Sequence, residues 1–224
     1  MEDIIRKIVS FCNDTLDLKE QVISYTYQSI SICIIDCVFS LRARYNDSTI
    51  PVVNRYAKKY MNGDVNAPGN TITDLINCIE EAGGPLAFSQ EGFLGNKQQS
   101  GGVLKTEVCY VLARYLKRLG IETKNDFENF DEPELLETVI HAVKGMGDAG
   151  TNYLFMLAGD PDRCKPDTHI HHFVRDACGK DLKNEEIQSV FREVVDSLSK
   201  DYPQLTVSML DGIIWRKYQI ANRN

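Results

Sequence analysis

The sequence is short of positive charge. Its 25 lysines and arginines stand against 32 aspartates and glutamates, a formal net charge of −7. That balance excludes binding of a polyanion through overall charge and leaves only local basic clusters to do it, because affinity for a phosphate backbone comes from counterions displaced by positive groups. A long apolar run is also missing. The longest mainly apolar stretch, Ile30 to Leu41, is interrupted by Asp36 and falls well below the roughly 20 residues of a membrane span, so it reads as a buried helix and no membrane partner is expected. The N-terminus has Glu2 and Asp3 where a targeting signal would have a basic region. The seven cysteines, Cys12, Cys33, Cys37, Cys78, Cys109, Cys164 and Cys178, are scattered and odd in number, which fits reduced thiols in a cytosolic setting better than a disulfide framework. No strand alternation, internal repeat or low-complexity tract is visible.

What is present is helical periodicity over 224 residues, with 43% hydrophobic and 25% charged residues, enough chain for one domain or two closely packed lobes. The pattern predicts a long helix from Lys19 to Arg44 and others near Ile50 to Met61, Thr71 to Ala82 and Leu104 to Leu119, with a surface loop over 89–102. Apolar residues Ile187, Val190, Phe191, Val194, Val195 and Leu198 form a further stripe, and Leu205 to Tyr218 closes the chain. The expected fold class is all-α: a central helical lobe over 26–162 and a second lobe from 1–25 plus 163–224.

The most informative segment is Lys144-Gly145-Met146-Gly147. Leu135, Leu136, Val139, Ile140 and Val143 mark a helix that ends at Val143 or Lys144, and Tyr153 to Leu157 mark a second helix that stops before Gly159-Asp160-Pro161. Two glycines between helices allow a tight turn whose N–H groups can meet a phosphate. The same residues also read as a plain helix C-cap followed by a new helix. Downstream, Pro166-Asp167-Thr168-His169 sets an acid at a helix start, which is equally an ordinary N-cap.

Together these elements resemble the helix-hairpin-helix glycosylase superfamily, whose members include endonuclease III, the adenine glycosylases and the 3-methyladenine glycosylases. Lys165-Pro166-Asp167-Thr168-His169-Ile170 is similar to the family's Val-Asp-Thr-His element, Ile34 to Arg42 looks like its first barrel helix, and Leu210 to Trp215 looks like its closing helix. The resemblance implies a two-lobed helical bundle with the hairpin and Asp167 facing the cleft between lobes, acting on duplex DNA with a flipped base. Asp167 would be the catalytic carboxylate, an electrostatic stabiliser of positive charge on the sugar and a general base that orients or deprotonates water. The implied DNA contacts are Lys144, Gly145, Met146, Gly147 and Ala149 in the hairpin, with Arg42 filling the space of the flipped base and His169 beside the acid.

The departures are specific. Ala149 stands where bifunctional members carry the Schiff-base lysine, which points to the monofunctional branch with water as nucleophile. Asp148 stands where arginine is usual and reads as an N-cap of the second helix. No cysteine follows Cys178, so no iron–sulfur cluster, and no other cofactor, is expected. His169 and His172 share a helical face without further metal ligands in sight, so no metal is expected. Candidate pocket aromatics are Tyr25, Tyr27, Phe39, Tyr45 and Tyr153. Arg42, Arg44, Arg55, Lys58 and Lys59 form one basic group. Lys144, Arg163, Lys165, His169, His171, His172 and Arg175 form another. Asp36, an acid inside an apolar helix, must be paired, hydrogen-bonded or facing a cavity, and a structural role is expected. The function expected is that of a monofunctional DNA glycosylase in a cytoplasmic, nucleoid or nuclear setting. The alternative is a non-catalytic binding protein of the same fold.

Overall fold

The computed structural model describes residues 1–19 and 26–221. The protein is all-α, with one two-stranded hairpin among the described residues. In chain order the helices are α1 (Glu2–Thr15), α2 (Ile30–Ser40), α3 (Ile50–Tyr60, preceded by a π-turn at Tyr45–Thr49), α4 (Ile72–Glu81) and α5 (Pro85–Phe88). After strands β1 (Gln99–Ser100) and β2 (Val103–Leu104) come α6 (Lys105–Arg118), α7 (Lys124–Glu128), α8 (Pro133–His141), α9 (Gly147–Leu157), α10 (Thr168–Cys178), α11 (Asn184–Leu198) and α12 (Val207–Ala221). No helix among the described residues is long and apolar enough to cross a membrane.

The chain divides into two compact units. One is continuous, Thr26–Gly159; the other joins Met1–Tyr25 to Asp160–Asn224. The continuous unit is built around α2, whose eleven residues are all buried. A helix that is apolar on every side can be satisfied only by neighbours on every side, and α3, α4, α6 and α9 supply them. Its serine and cysteine side chains are spent on backbone carbonyls. Ser31 Oγ donates to the Thr71 carbonyl at 2.6 Å and Cys37 Sγ to the Gly150 carbonyl at 3.1 Å.

The helix expected from Lys19 to Arg44 is shorter than its periodicity suggests. Residues 20–25 lie outside the described residues. Ser29 is extended and donates its hydroxyl to the Asn70 carbonyl, and Leu41 is again extended. Helix α2 is therefore cut at both ends by contacts that the hydrophobic pattern does not register. The 89–102 stretch, expected to be loop throughout, contains β1 and part of a hairpin, with Ser100 opposite Val103. Gly101 and Gly102, both at positive φ, make its two-residue turn, as such hairpins require.

Helix α8 ends at His141, short of the end expected at Val143 or Lys144, and a turn over 142–146 leads into α9. Gly145 has φ +107, and a Cβ there would lie 2.9 Å from the Ser100 carbonyl oxygen and 3.0 Å from Val108 Cγ2. Ser100 Oγ also donates to the Gly145 carbonyl at 2.6 Å, so the β-hairpin and the glycine turn are packed backbone to backbone. Gly147 differs: its φ is +58, but a Cβ would meet nothing within 4 Å.

The discontinuous unit packs α1, α10, α11 and α12 together around Phe173, whose ring lies 5.3 Å from Phe11 and 6.4 Å from both Phe191 and Tyr218. The α11 stripe from Ile187 to Leu198 is buried as the periodicity predicts.

The two glycines of the turn should respond differently to the same change. Gly145→Ala combines a disfavoured φ with a backbone clash and should destabilise the protein by about 3 kcal/mol. Gly147→Ala meets only the left-handed penalty of about 1 kcal/mol. Urea denaturation of both variants measures the difference, and equal losses would mean that the Ser100 contact does not constrain the turn.

Candidate functional site

In the continuous unit the candidate site is the turn between α8 and α9. Among the described residues the N–H groups of Gly145, Gly147 and Ala149 have no hydrogen-bond acceptor, as expected where a helix begins without a side-chain cap. Lys144 and Gly147 are exposed, while Met146 is buried at 3% exposure and anchors the turn to the core. Asp148 is not the N-cap. Met146 occupies that position, and Asp148, inside the first turn of α9, lies 2.9 Å from His141 Nε2 through Oδ1. The carboxylate is thus turned toward the last turn of α8, where a cation also suits the helix dipole. A groove of about 480 Å³ runs along this pair, and Glu134 and Glu137 also line it.

Helix α2 ends beside this turn, because Leu41 Cδ1 lies 3.2 Å from the Cβ position of Gly150. The next residue, Arg42, is exposed and has φ +51, a left-handed conformation that costs a non-glycine residue about 1 kcal/mol. One turn further in, Asp36 is completely buried. Tyr27 and Tyr45 donate their hydroxyls to its Oδ2 at 2.7 and 2.6 Å, and Tyr153 donates to Oδ1 at 3.0 Å. Burial first, and then the Asp36 charge, push all three phenols above their usual pKa, so they stay protonated donors. Three of the five aromatics expected to line a pocket therefore converge on one carboxylate. Phe39 is instead core, its carbonyl accepting from the buried Lys105 Nζ at 2.9 Å, and Tyr25 lies outside the described residues.

In the discontinuous unit Asp167 is the N-cap of α10. Its Oδ1 accepts from the N–H groups of His169 at 2.9 Å and Ile170 at 3.4 Å, the ordinary capping arrangement. The residue is half-buried, and nothing among the described residues donates to Oδ2. His169 carries a buried Nδ1 without a hydrogen-bond partner among the described residues, and its ring centroid lies 6.4 Å from that of Tyr218.

The sequence reading missed Asp211. It lies on α12 at 6% exposure, and its Oδ2 accepts from the Lys165 N–H at 2.7 Å. Burial, and then the charge of Asp167, raise its carboxyl to about 8. An acid set between Leu210 and the pair Ile213 and Ile214 was the available signal, of the same kind as Asp36.

The second basic group is divided between the two units, and several of its members are paired. Lys144 belongs to the other unit, Arg163 pairs with Asp160 at 3.2 Å, Arg175 pairs with Asp181 at 2.6 Å, and His171 bonds Asn184 at 2.9 Å. In the first group Lys59 is bound to the Gly92 carbonyl at 2.7 Å and sits over the Phe93 ring. No three His, Cys, Asp or Glu among the described residues are grouped to hold a metal ion. All seven cysteines are free, and six are buried. Burial lifts the Cys33 thiol to about 12 and Cys164 well above its usual value, which leaves them poor nucleophiles.

The chain belongs to the family described as Domain of unknown function (DUF8548), whose family model matches residues 6–219. No curated protein and no solved structure matches the chain.

The raised carboxyl of Asp211 ties stability to pH. The native state keeps this proton up to about pH 8, while the unfolded chain releases it near the ordinary value of 3.8. Its contribution is therefore complete below the unfolded value and is lost as pH rises toward the folded one, with a slope of up to about 1.4 kcal/mol per pH unit. Asp211→Asn, which cannot ionise, should flatten that slope in denaturation curves across this window. An unchanged slope would mean that Asp211 ionises normally in the folded protein.

Proposed function

We propose that this protein is a monofunctional DNA glycosylase of the helix-hairpin-helix type, hydrolysing the bond between deoxyribose and a modified or mismatched base with Asp167 as the acting carboxylate. The observation that carries the reading is the state of Asp167: one oxygen is committed to the N-terminus of α10, which fixes the side chain, and the other has no donor among the described residues. A fixed, partly exposed carboxylate suits a reaction that builds positive charge on a sugar and needs a water oriented for attack.

Two features of the continuous unit support it. The N–H groups of Gly145, Gly147 and Ala149 offer a phosphate three donors, and the open side of Gly147 leaves room for its approach. Exposed Arg42, held in an uncommon conformation at the end of α2, suits a side chain that enters the stack when a base leaves it. With alanine at position 149, water is the nucleophile and the strand is left uncut.

A second reading, binding without catalysis, is favoured by the acidic groove along the turn, where Glu134, Glu137 and Asp148 oppose a polyanion. The two readings separate in one assay, in which duplexes carrying a panel of damaged or mismatched bases are incubated with the protein and then treated with alkali. The expected result is alkali-dependent breaks with the wild type and a loss of at least about 100-fold with Asp167→Asn, the scale on which removal of one electrostatic stabiliser acts. An absence of breaks supports binding without catalysis: retention that falls with salt marks DNA as the partner, and no retention marks a partner that is not a polyanion, as the acidic groove favours. Breaks without alkali overturn the assignment of water as nucleophile.

A further inference from the structure

We propose that the exposed basic surface formed by the end of α2, the 95–98 loop and α3 grips the phosphate backbone of duplex DNA; this deepens, and rests on, the reading of DNA as the partner. Between Arg42 and Lys59 five cations stand against one acid, Asp47, in a chain whose net charge is −7. The other cations of the continuous unit are mostly occupied. Lys117 and Lys124 form ion pairs, Arg114 and Arg118 lie over tyrosine rings, and Lys59 and Lys105 donate to carbonyl groups. Arg42, Arg44, Arg55, Lys58 and Lys97 are exposed and have no hydrogen-bond or ion-pair partner among the described residues. Among the described residues of that unit, only Lys144 of the glycine turn shares this condition.

Buried contacts bring these five together from three segments. The Ser48 N–H donates to the Arg44 carbonyl at 2.9 Å. The Ser48 hydroxyl donates to Gln98 Oε1 at 2.9 Å and accepts from Asn96 Nδ2 at 3.2 Å, so the residues on either side of Lys97 are held against the turn that follows Arg44. The buried Lys105 Nζ donates to the same Gln98 oxygen and to the Phe39 carbonyl, both at 2.9 Å, which ties the loop to the last turn of α2, just before Arg42. At the start of the loop, the Arg55 guanidinium carbon lies 3.5 Å from the Cβ position of Gly95, and Lys58 is on the next turn of α3. The backbone that presents the charges is thus fixed in advance, so little order is lost when an anion arrives.

Nothing local favours the group. Like charges such as Arg55 and Lys58, three residues apart on a helix, repel, and α3 contains no acid. The α3 dipole suits Lys58 in its last turn but opposes Arg44, which stands just before the π-turn leading into α3. The acids nearest in these segments are the exposed Asp47 and Glu91, neither of which pairs with the five. A single small anion calls for donors converging on one point, whereas these are spread over an open surface. An anionic bilayer takes cations together with an apolar face, but Val52, Val53, Tyr56 and Ala57 of α3 are buried. A row of separate charges matches a duplex, which carries a phosphate about every 1.7 Å of its axis, and the three arginines suit phosphate oxygens.

The test is the affinity of the full chain for a fluorescein-labelled duplex, followed by anisotropy from about 50 to about 200 mM salt. The test variant combines Arg44→Gln, Arg55→Gln, Lys58→Gln and Lys97→Gln; Arg42 stays, because it also has a part in base displacement. The control combines Arg6→Gln, Lys7→Gln, Arg114→Gln and Arg118→Gln, which removes the same charge elsewhere. Each phosphate contact adds about 0.9 to the slope of log K against log salt. The test variant should therefore lose about 3 units of slope and bind at least about tenfold more weakly at low salt, equally for every duplex sequence, while the control keeps the wild-type slope. Arg44→Gln and Lys97→Gln alone should each remove about one unit, which answers the question if the combined variant folds poorly. A slope unchanged by these substitutions overturns the proposal even where base release is found, and so does a loss confined to binding of phosphatidylserine and phosphatidylcholine vesicles. Absence of duplex binding by the wild type overturns it together with the reading of DNA as the partner. A slope that falls as expected without base release from any substrate upholds the surface and removes the glycosylase reading.

Discussion

Everything in the continuous unit follows from the burial of α2. A helix with no solvent-facing side cannot be the edge of anything, so α3, α4, α6 and α9 take their places around it. That constraint also explains Asp36. A carboxylate at the centre of such a unit must bring its own solvation, and three tyrosine hydroxyls from before α2, after it and α9 provide it. The arrangement ties the helix that ends at Arg42 to the helix that begins at Gly147, because Tyr153 reaches Asp36 from α9 while Leu41 and Cys37 rest on Gly150.

The chain places three carboxyl groups in three environments, and each has a different solution to the same problem. Asp36 is fully buried and is met by phenol donors. Asp211 is nearly as buried but accepts a backbone N–H and keeps a proton. Asp167 is half-buried at a helix N-terminus, where its Oδ1 accepts from the N–H groups of His169 and Ile170. The three phenol bonds give Asp36 a structural role, whereas Asp167 Oδ2 has no donor among the described residues.

The electrostatics of the glycine turn pull in two directions. N–H groups without an acceptor among the described residues and exposed Lys144 favour an anion, while Asp148 and the two glutamates of the neighbouring groove do not. The close pairing of Asp148 with His141 turns that carboxylate toward α8, so its charge is partly offset whenever the imidazole is protonated. Gly145 carries a separate lesson. Its glycine identity is explained by its positive φ and the approach of the Ser100 backbone, whereas Gly147 has an empty Cβ position that leaves room for a phosphate.

The sequence by itself determined what depends on neighbours three or four residues away: the helices, the amphipathic stripe of α11, the buried character of α2 and the capping position of Asp167. Even there it overran the ends, since periodicity continues through Ser29 and Leu41, where tertiary contacts stop the helix. Only the tertiary structure decided which groups meet across long stretches of chain. Tyr153 comes 117 residues after the acid it binds, and Asp211 comes 46 residues after the peptide it holds. The pairing of α1 with the C-terminal helices, the Ser100 contact that requires Gly145, and the Asp148–His141 pair belong to the same class. A hydrophobic pattern reports which side of a helix avoids water, but not which side of another helix it will find there. The partners of buried polar groups are set by that second choice.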